Sequence, residues 1–497
     1  MRSAAADEIP QRYTDTRCIV AAVGALIAVR LIAAALIDLG ADESYYFLWS
    51  RHLAWSYYDH PPMVAWWIAL GTAIFGDSPF GVRVVFVLSA IPTSIAAYLT
   101  GRILFDRAAA GGLAALWINA TLLFGVGGLS ATPDAPAVMF WALAACAFAY
   151  LAKSGRGAWW LAVGLFSGLG VASKLTDLFF GLGILLCLMV YADLRGWLAS
   201  IWIWLGALIA ALVAAPILLW NLDHDWATFA SQFSRLTPRA FDPLRFPELI
   251  ATQFALLNPL IAMFVGLAGA VWIGRRPTYP TRAIGLLLWT TVPLVAYMAL
   301  HSLHGQVQAH WLAPIFPTLV VAAAGTATAR PAIRYAALRS LAFPVGVGLS
   351  LIGLILAANP YGILPPRLDP GQMNHGWDRV AQEAEQLRAK SGSEWIATPS
   401  YAAHAIVAYH LRNRDEPVVQ IGDPARYAFA PLPDASLLDR PALLFVTAAA
   451  ASRLASCFAS MEPVGTIERT NPGGALIETF TAYRVSGGRV DLFRTGC

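Results

Sequence analysis

Two pairs of polar residues stand close together between apolar stretches of the sequence. Asp42 and Glu43 directly follow the first apolar run, and Asp59 and His60 come seventeen residues later, just before two prolines. Carboxylates act as general bases, and carboxylate and imidazole both bind divalent metal ions. Acidic side chains beside a long apolar segment are costly unless they are solvated or paired. The segment is therefore a candidate site for acid–base chemistry, metal binding or phosphate contact.

Each polar residue of this kind also has a structural interpretation. Asp42 and Asp134 both precede apolar helices, where an acidic side chain accepts backbone N–H bonds and complements the helix dipole. Pro136 suits the first turn of the helix after Asp134. Lys174 lies between two apolar runs, where a lysine can extend its ammonium group to the membrane interface. From the residues alone, both interpretations stay open.

The composition places these residues in a membrane protein. Of the 497 residues, 58% are hydrophobic and only 13% are charged, whereas about 25% of residues are charged in an ordinary soluble domain. Residues 1–358 contain 37 of the 64 charged residues, and residues 359–497 contain the other 27. This shift predicts a transmembrane domain over residues 1–358 and a soluble domain over residues 359–497.

Apolar runs divide the first of these domains into membrane spans. A helix that crosses the membrane needs about 20 mostly apolar residues. The sequence predicts eleven such runs, at 18–39, 83–104, 108–130, 135–152, 158–173, 175–192, 198–220, 247–273, 283–300, 311–328 and 340–358.

The basic residues indicate the orientation of these spans rather than a nucleic-acid partner, although the net charge is +4. Cytoplasmic loops are enriched in Arg and Lys. Alternate connections carry the basic residues Arg2, Arg12, Arg17, Arg102, Arg107, Lys153, Arg156, Arg195, Arg275, Arg276, Arg282, Arg330, Arg334 and Arg339. This pattern predicts a cytoplasmic N-terminus. With eleven spans, residues 359–497 lie on the extracytoplasmic side.

Two further regions have a recognisable organisation. The segment 43–55 is rich in Tyr and Trp, which predicts a helix along the outer surface, and 63–75 is too short to cross the bilayer. Residues 359–497 alternate between helix-like and strand-like segments, which predicts a small α/β domain.

Cys457 and Cys497 can pair in an oxidising compartment, but their separation in space is left open.

Several strings in this chain resemble those of the polyprenyl-phosphate-sugar-dependent glycosyltransferases of the GT-C fold. That family includes the protein O-mannosyltransferases and the lipid A aminoarabinose transferase. The resemblance covers about residues 20–330 and does not extend to residues 359–497. The matching strings are Ala41-Asp42-Glu43-Ser44-Tyr45-Tyr46, Tyr57-Tyr58-Asp59-His60-Pro61-Pro62-Met63, Gly76-Asp77-Ser78-Pro79-Phe80-Gly81-Val82-Arg83, Thr132-Pro133-Asp134, Ser173-Lys174-Leu175-Thr176, Trp220-Asn221 and His310-Trp311-Leu312-Ala313-Pro314.

The resemblance implies a role for each matching polar residue. Asp42 occupies the place of the catalytic carboxylate, which acts as general base on the acceptor hydroxyl. Lys174 is the candidate cation for the departing lipid phosphate, because such a leaving group is stabilised by positive charge. Asp59 and His60 match an acidic and basic pair that holds a divalent metal and faces the phosphate. The second member here is His where relatives of the aminoarabinose enzyme have Lys, and an imidazole can be neutral.

Four further residues lie within the matching strings and are expected to bind substrate. Glu43 and Tyr58 belong to the strings of the first connection, and Asp134 matches a second acidic position that contacts metal or sugar. His310 precedes the matching Trp311 and is expected near the lipid phosphate.

The leading hypothesis is a membrane glycosyltransferase with a polyprenyl-phosphate-linked sugar donor. The acceptor is an extracytoplasmic glycan, a lipid such as lipopolysaccharide or lipid A, or a protein. A divalent metal of unspecified identity stays open, and no nucleotide cofactor and no nucleic acid are expected. The alternatives are a transporter or flippase for a lipid-linked glycan and a membrane-anchored scaffold. The charged residues favour the enzyme, because they cluster at one predicted membrane face and not at the midplane.

Overall fold

The computed structural model describes residues 13–234, 240–329, 335–359, 361–369 and 371–497, so Arg2, Arg12, Arg330 and Arg334 of the topology argument lie outside the described residues. The chain folds as two compact units. Of the described residues, the membrane unit comprises those within 1–34, 60–67 and 83–352, and the second unit comprises those within 35–59, 68–82 and 353–497. Most of the first connection, residues 40–82, thus belongs with the C-terminal residues.

The helices as far as residue 358 follow one another with short connections. They are α1 (Thr16–Leu36), α2 (Ala41–Ser50), α3 (Met63–Phe75), α4 (Pro79–Leu88), α5 (Ala90–Phe105), α6 (Ala108–Asn119), α7 (Leu122–Gly125), α8 (Asp134–Ser154), α9 (Trp159–Ser173), α10 (Leu178–Val190), α11 (Ile201–Asp223), α12 (Ala227–Ser234), α13 (Arg245–Leu256), α14 (Pro259–Ile273), α15 (Thr281–Ser302), α16 (Phe316–Ala327) and α17 (Ala336–Ala358).

Among the described residues, seven helices are long and apolar enough to cross a membrane, and the number rises to ten if each of three bent pairs is one span. The predicted runs 108–130 and 247–273 are bent by 61° and 116°. At the second bend Asn258 has a φ of +72°, and its side chain accepts the N–H of Leu260 to begin α14. Helix α9 has only 15 residues, about 22 Å of length. The predicted eleven spans therefore require α9 to be counted as well.

One buried arginine lies inside the first apolar helix. The Arg30 side chain of α1 is 2% exposed. Its Nη1 donates to Oδ1 of Asn119 at 3.0 Å, and its Nη2 donates to the carbonyl oxygen of Asn119 at 3.2 Å. Asn119 is the last residue of α6, where the carbonyls of a helix lack intrahelical partners and favour positive charge. Arg30 therefore satisfies the end of a neighbouring helix.

The second unit is built around a five-stranded mixed sheet. Its elements are α18 (Trp377–Lys390), β1 (Trp395–Thr398), α19 (Tyr401–His410), β2 (Val418–Gln420), β3 (Ala442–Val446), α20 (Ala448–Leu454), β4 (Phe458–Thr470), β5 (Leu476–Gly488) and α21 (Leu492–Thr495). The strand order is β2-β1-β3-β5-β4. The first three strands are mutually parallel, and β5 is antiparallel to both β3 and β4. The predicted α/β domain is confirmed.

Both faces of this sheet are covered, because alternate side chains of the central strands enter different apolar clusters. Ile396 of β1 packs with α18 and α19, and its neighbour Trp395 packs on the opposite face. The second cluster contains Cys457, which forms a disulfide with Cys497. The pairing that the sequence left open is therefore present.

Helix α2 completes the first of these faces from a distant part of the sequence. It packs against α19, and Ala41 adjoins the apolar cluster of that face. The helix ends at Ser50, so the predicted surface helix over 43–55 is shorter than expected. Trp49 stacks on Tyr57 with ring centroids 4.2 Å apart, and the chain between them folds back as a turn. The sheet unit therefore positions the first carboxylates of the sequence.

Replacing Arg30 by Met is expected to reduce the free energy of unfolding by about 1–3 kcal/mol, because the carbonyl and side-chain oxygens of Asn119 lose a buried donor. Thermal unfolding of the detergent-solubilised protein measures the effect. Arg17→Met is the matched control, since Arg17 is exposed on the same helix. Equal stability of the two variants would contradict the assigned role of Arg30.

Candidate active site

The first two carboxylates have different roles at the start of α2. Glu43 is 4% exposed, and its Oε2 accepts the backbone N–H of Gly40 at 3.0 Å. Asp42 is exposed, and its Oδ1 accepts a hydrogen bond from the Tyr401 hydroxyl at 3.3 Å. Glu43 therefore caps the helix, whereas the Asp42 carboxylate is accessible from solution. The predicted substrate contact of Glu43 stays a prediction.

Tyrosine rings from two distant parts of the chain surround this helix. The Tyr45 ring contacts Tyr401 and Tyr427 edge to face, with centroids 5.6 and 5.3 Å apart. The Tyr427 hydroxyl donates to the backbone carbonyl of Tyr401 at 2.8 Å. Burial and the charge of Asp42 raise the pKa of Tyr401 to about 12. At neutral pH, Tyr401 is therefore a neutral hydrogen-bond donor to Asp42.

Asp59 forms a buried ion pair with an arginine of the C-terminal residues. Its Oδ2 lies 2.6 Å from Nη1 of Arg426, and the Asp59 side chain is 4% exposed. The Tyr45 hydroxyl lies 3.2 Å from the same carboxylate oxygen and 2.8 Å from the carbonyl oxygen of Arg426. Burial, followed by the charge of Asp59, raises the pKa of Tyr45 well above its usual value, so its hydroxyl stays a donor. Tyr58 lies beside the same guanidinium group, 5.7 Å from ring centroid to Cζ.

These residues do not make a metal site of the expected kind. Among the described residues, no group of three or more His, Cys, Asp or Glu side chains is arranged to hold a metal ion. The Arg426 guanidinium group already lies against Oδ2 of Asp59. The chemistry of the side chains around Asp59 therefore fits an arginine better than a divalent metal.

A second polar cluster lies within the membrane unit. Nζ of Lys174 lies 2.5 Å from Oδ1 of Asp134, and the two side chains are 8% and 14% exposed. Nε2 of His310 lies 3.8 Å from the other Asp134 oxygen, and His60 is close enough to act on the charge of Asp134. Lys174 is thus a buried ion-paired residue, and the structural interpretation of a lysine extended to the interface is wrong.

Local backbone geometry explains the position of this pair. Helix α9 ends at Ser173, and Lys174 is extended before a short 3₁₀ turn over Leu175–Asp177. The side chain therefore leaves the helical path at the break between α9 and α10. Asp134 is the first residue of α8, where the helix dipole favours a negative charge. The alternative that Asp134 is the N-cap of this helix is wrong, because Pro133 occupies the N-cap position, no side chain caps the helix, and Asp134 accepts a hydrogen bond from Lys174.

Asp177 is a third ionisable residue of this cluster, and no sequence motif singles it out. It is 2% exposed, interacts electrostatically with Lys174, and its two carboxylate oxygens make no hydrogen bond within the described part of the chain. A Cβ at Gly170 would lie 2.4 Å from Asp177 Oδ2, so the close packing requires glycine there. The only sequence signal was its position three residues after Lys174.

The predicted site residues thus fall into two groups. Asp42, Glu43, Tyr58 and Asp59 lie in the sheet unit, and His60, Asp134, Lys174 and His310 lie in the membrane unit. The residues that complete the first group, Tyr401, Arg426 and Tyr427, belong to the region where the motif resemblance had ended. No local motif marks them.

Comparisons with known proteins agree with the motif resemblance. A family model described as dolichyl-phosphate-mannose-protein mannosyltransferase matches residues 59–220. The lipid A galacturonosyltransferase RgtD of Rhizobium johnstonii is 27% identical over 390 residues, which cover 76% of this chain and 78% of that protein. An undecaprenyl phosphate-α-4-amino-4-deoxy-L-arabinose arabinosyl transferase of Sodalis glossinidius is 28% identical over 342 residues, 63% of this chain and 57% of that protein. This chain therefore spans little more than half the length of the second relative.

A solved structure has the same fold over nearly the whole chain. The crystal structure of ArnT from Cupriavidus metallidurans bound to undecaprenyl phosphate superposes with a TM-score of 0.66 and 14% sequence identity. The match covers 94% of this chain and 98% of that one. The predicted fold, a helical membrane domain followed by a small α/β domain, is confirmed.

Replacing Lys174 by Met is expected to cost about 3–5 kcal/mol of stability, because the Asp134 charge is left buried without its cation. Adding Asp134→Asn should restore a large part of the loss. Thermal unfolding in detergent measures both variants. Lys153→Met is the matched control, since the Lys153–Asp106 pair is exposed and should contribute at most about 1 kcal/mol. A double variant no more stable than Lys174→Met would refute the pairing.

Proposed function

We propose that the chain is a membrane glycosyltransferase of the GT-C fold, the class that uses polyprenyl-phosphate-linked sugars, and that it glycosylates lipid A. The observation that carries this proposal is the similarity to a lipid A galacturonosyltransferase over 390 residues. The relatives named above are transferases, which favours transfer over the alternative of translocation. Their sugars are a uronic acid and an amino sugar, so the donor is proposed only as a glycosyl polyprenyl monophosphate.

The proposed reaction begins with Asp42 as general base. Its carboxylate takes the proton from an acceptor hydroxyl while that oxygen attacks the anomeric carbon of the donor sugar. The bond between this carbon and the phosphate oxygen breaks, and the lipid phosphate leaves with its bonding electrons. Attack opposite to the leaving group inverts the anomeric configuration. The exposure of Asp42 and its hydrogen bond from Tyr401 support this role, because the base must be both accessible and oriented.

The leaving phosphate requires positive charge. Lys174 is proposed for this role, because an ammonium group has three donors and Asp134 takes only one of them. His310 and His60 are proposed as further phosphate-facing residues, since both lie near Asp134 in the membrane unit. Asp134 then orients Lys174 and limits its movement.

We propose that the chain lies in the bacterial inner membrane with a cytoplasmic N-terminus. The distribution of basic residues between alternate connections supports this orientation. The Cys457–Cys497 disulfide supports an extracytoplasmic C-terminal domain, because disulfides persist in oxidising compartments such as the bacterial periplasm.

Asp42→Asn is expected to lower kcat at least about 100-fold, because the amide cannot accept the proton. The assay uses the purified full chain with lipid A and a polyprenyl phosphate carrying either galacturonic acid or 4-amino-4-deoxy-L-arabinose. Asp223→Asn is the control, since Asp223 is an exposed carboxylate outside both clusters. Full activity of a folded Asp42→Asn protein would exclude Asp42 as the base. Absence of transfer by the unmodified protein with both donors would count against the proposed function.

Tyr401→Phe is expected to move the acidic limb of the kcat/KM profile to higher pH, by up to about one unit. The lost hydroxyl donates to the charged form of Asp42, so without it the carboxylate is protonated more readily as the pH falls. The rate at high pH should change much less. Tyr483→Phe, in strand β5, is the control. An unshifted profile for Tyr401→Phe would show that the hydrogen bond does not act on the base.

A further inference from the structure

Asp59 was expected to hold a metal ion, and its surroundings offer a different cation. Its buried carboxylate has Nη1 of Arg426 at 2.6 Å and the Tyr45 hydroxyl at 3.2 Å, both at Oδ2. A divalent ion at the same oxygen would stand beside the guanidinium group, and two adjacent cations in a buried site repel each other strongly. The described residues also supply no third acidic, His or Cys ligand in a suitable cluster.

Arg426 is held in this position from several directions. Its Nε donates to Oδ2 of Asp423 at 2.8 Å, and its backbone carbonyl oxygen lies 2.8 Å from the Tyr45 hydroxyl. The guanidinium group lies over the Tyr401 ring, 4.4 Å from Cζ to the ring centroid. A planar guanidinium that stacks on an aromatic ring while it pairs with carboxylates is fixed in orientation, which a lysine cannot reproduce.

The same arginine connects the two carboxylates of the first connection. Tyr401, on which Arg426 stacks, donates its hydroxyl to Asp42. Asp59 pairs with the edge of the guanidinium group. Displacement of Arg426 would therefore remove the cation that pairs with Asp59 and one of the groups that pack against the Tyr401 ring.

We propose that Arg426 is a positioning residue that replaces a divalent metal as the counter-ion of Asp59 and, through Tyr401, orients Asp42 for proton abstraction. The catalytic role of Asp42 in this inference rests on the proposed function. The C-terminal sheet domain is then part of the catalytic apparatus, and the chain needs no metal at Asp59. Asp59 is a structural partner of the arginine rather than a metal ligand.

The first test measures metal directly and does not depend on activity. Purified full-length protein is dialysed against EDTA and then against buffer with Zn²⁺, Mn²⁺ or Mg²⁺, and bound metal is measured by elemental mass spectrometry. Less than about 0.1 equivalent per chain is expected for the unmodified protein, because Asp59 offers no complete ligand set. If the unmodified protein bound one equivalent of metal and Asp59→Asn bound none, the proposal would be overturned, whether or not the protein transfers sugar.

The second test compares Arg426→Ala with Arg426→Lys in the transfer assay. Arg426→Ala should lower kcat about 10- to 100-fold with a smaller change in KM, as expected for loss of a group that orients a catalytic residue. Added guanidinium ion should restore part of the activity of Arg426→Ala. Arg426→Lys should stay impaired, because lysine lacks the planar fork.

Arg388→Ala is the matched control, since Arg388 pairs with Glu385 and Glu416 in the same domain. If Arg426→Ala acted only by destabilising the domain, Arg388→Ala would lose activity as well, and added guanidinium would not restore the activity. Full activity of Arg426→Ala, or a restoration by divalent metal in place of guanidinium, would overturn the proposal. Failure of the proposed function is seen separately, as absence of transfer in the unmodified protein.

Discussion

A charge that is removed from water must be met by an opposite charge or by hydrogen-bond partners, and in a chain this apolar that requirement decides where polar residues can lie. Lys174 meets Asp134, Asp59 meets Arg426, and Arg30 meets the carbonyl end of α6. In each case the partner lies on a different helix or segment. The charged pairs therefore fix the relative positions of segments that apolar packing alone would leave free to slide.

Breaks in regular structure also position polar side chains. Lys174 is extended between α9 and a 3₁₀ turn, and Asn258 has a positive φ between α13 and α14. At such positions a side chain can point along directions that a continuous helix does not offer. The same breaks explain why a hydropathy count does not reveal the bends: a run of apolar residues records composition, whereas a bend of more than 100° within it depends on one or two residues.

The sequence identified candidate site residues where they lie in short local strings. Asp42, Asp59 and Lys174 were found because each lies in a short string whose residues are neighbours in the chain. Tyr401 and Arg426 were missed, because they are separated from Asp42 and Asp59 by 359 and 367 residues. Asp177 was missed for another reason, since its burial depends on the break after α9 and on the space at Gly170. The α/β character of the C-terminal domain was predictable from its alternating pattern, but the packing of α2 against α19 was not.

The separation of 367 residues between Asp59 and Arg426 affects the order in which the two partners are synthesised. Translation proceeds at about 5–20 residues per second, so Arg426 is synthesised roughly 20 to 70 s after Asp59, given their separation of 367 residues. During this interval Tyr45 and Asp59 lack the partners that bury them in the finished molecule. The segment that contains Tyr45 and Asp59 therefore stays without its C-terminal partners through most of the synthesis of the chain. Asp42 and Asp59 therefore gain their C-terminal partners, Tyr401 and Arg426, only late in synthesis.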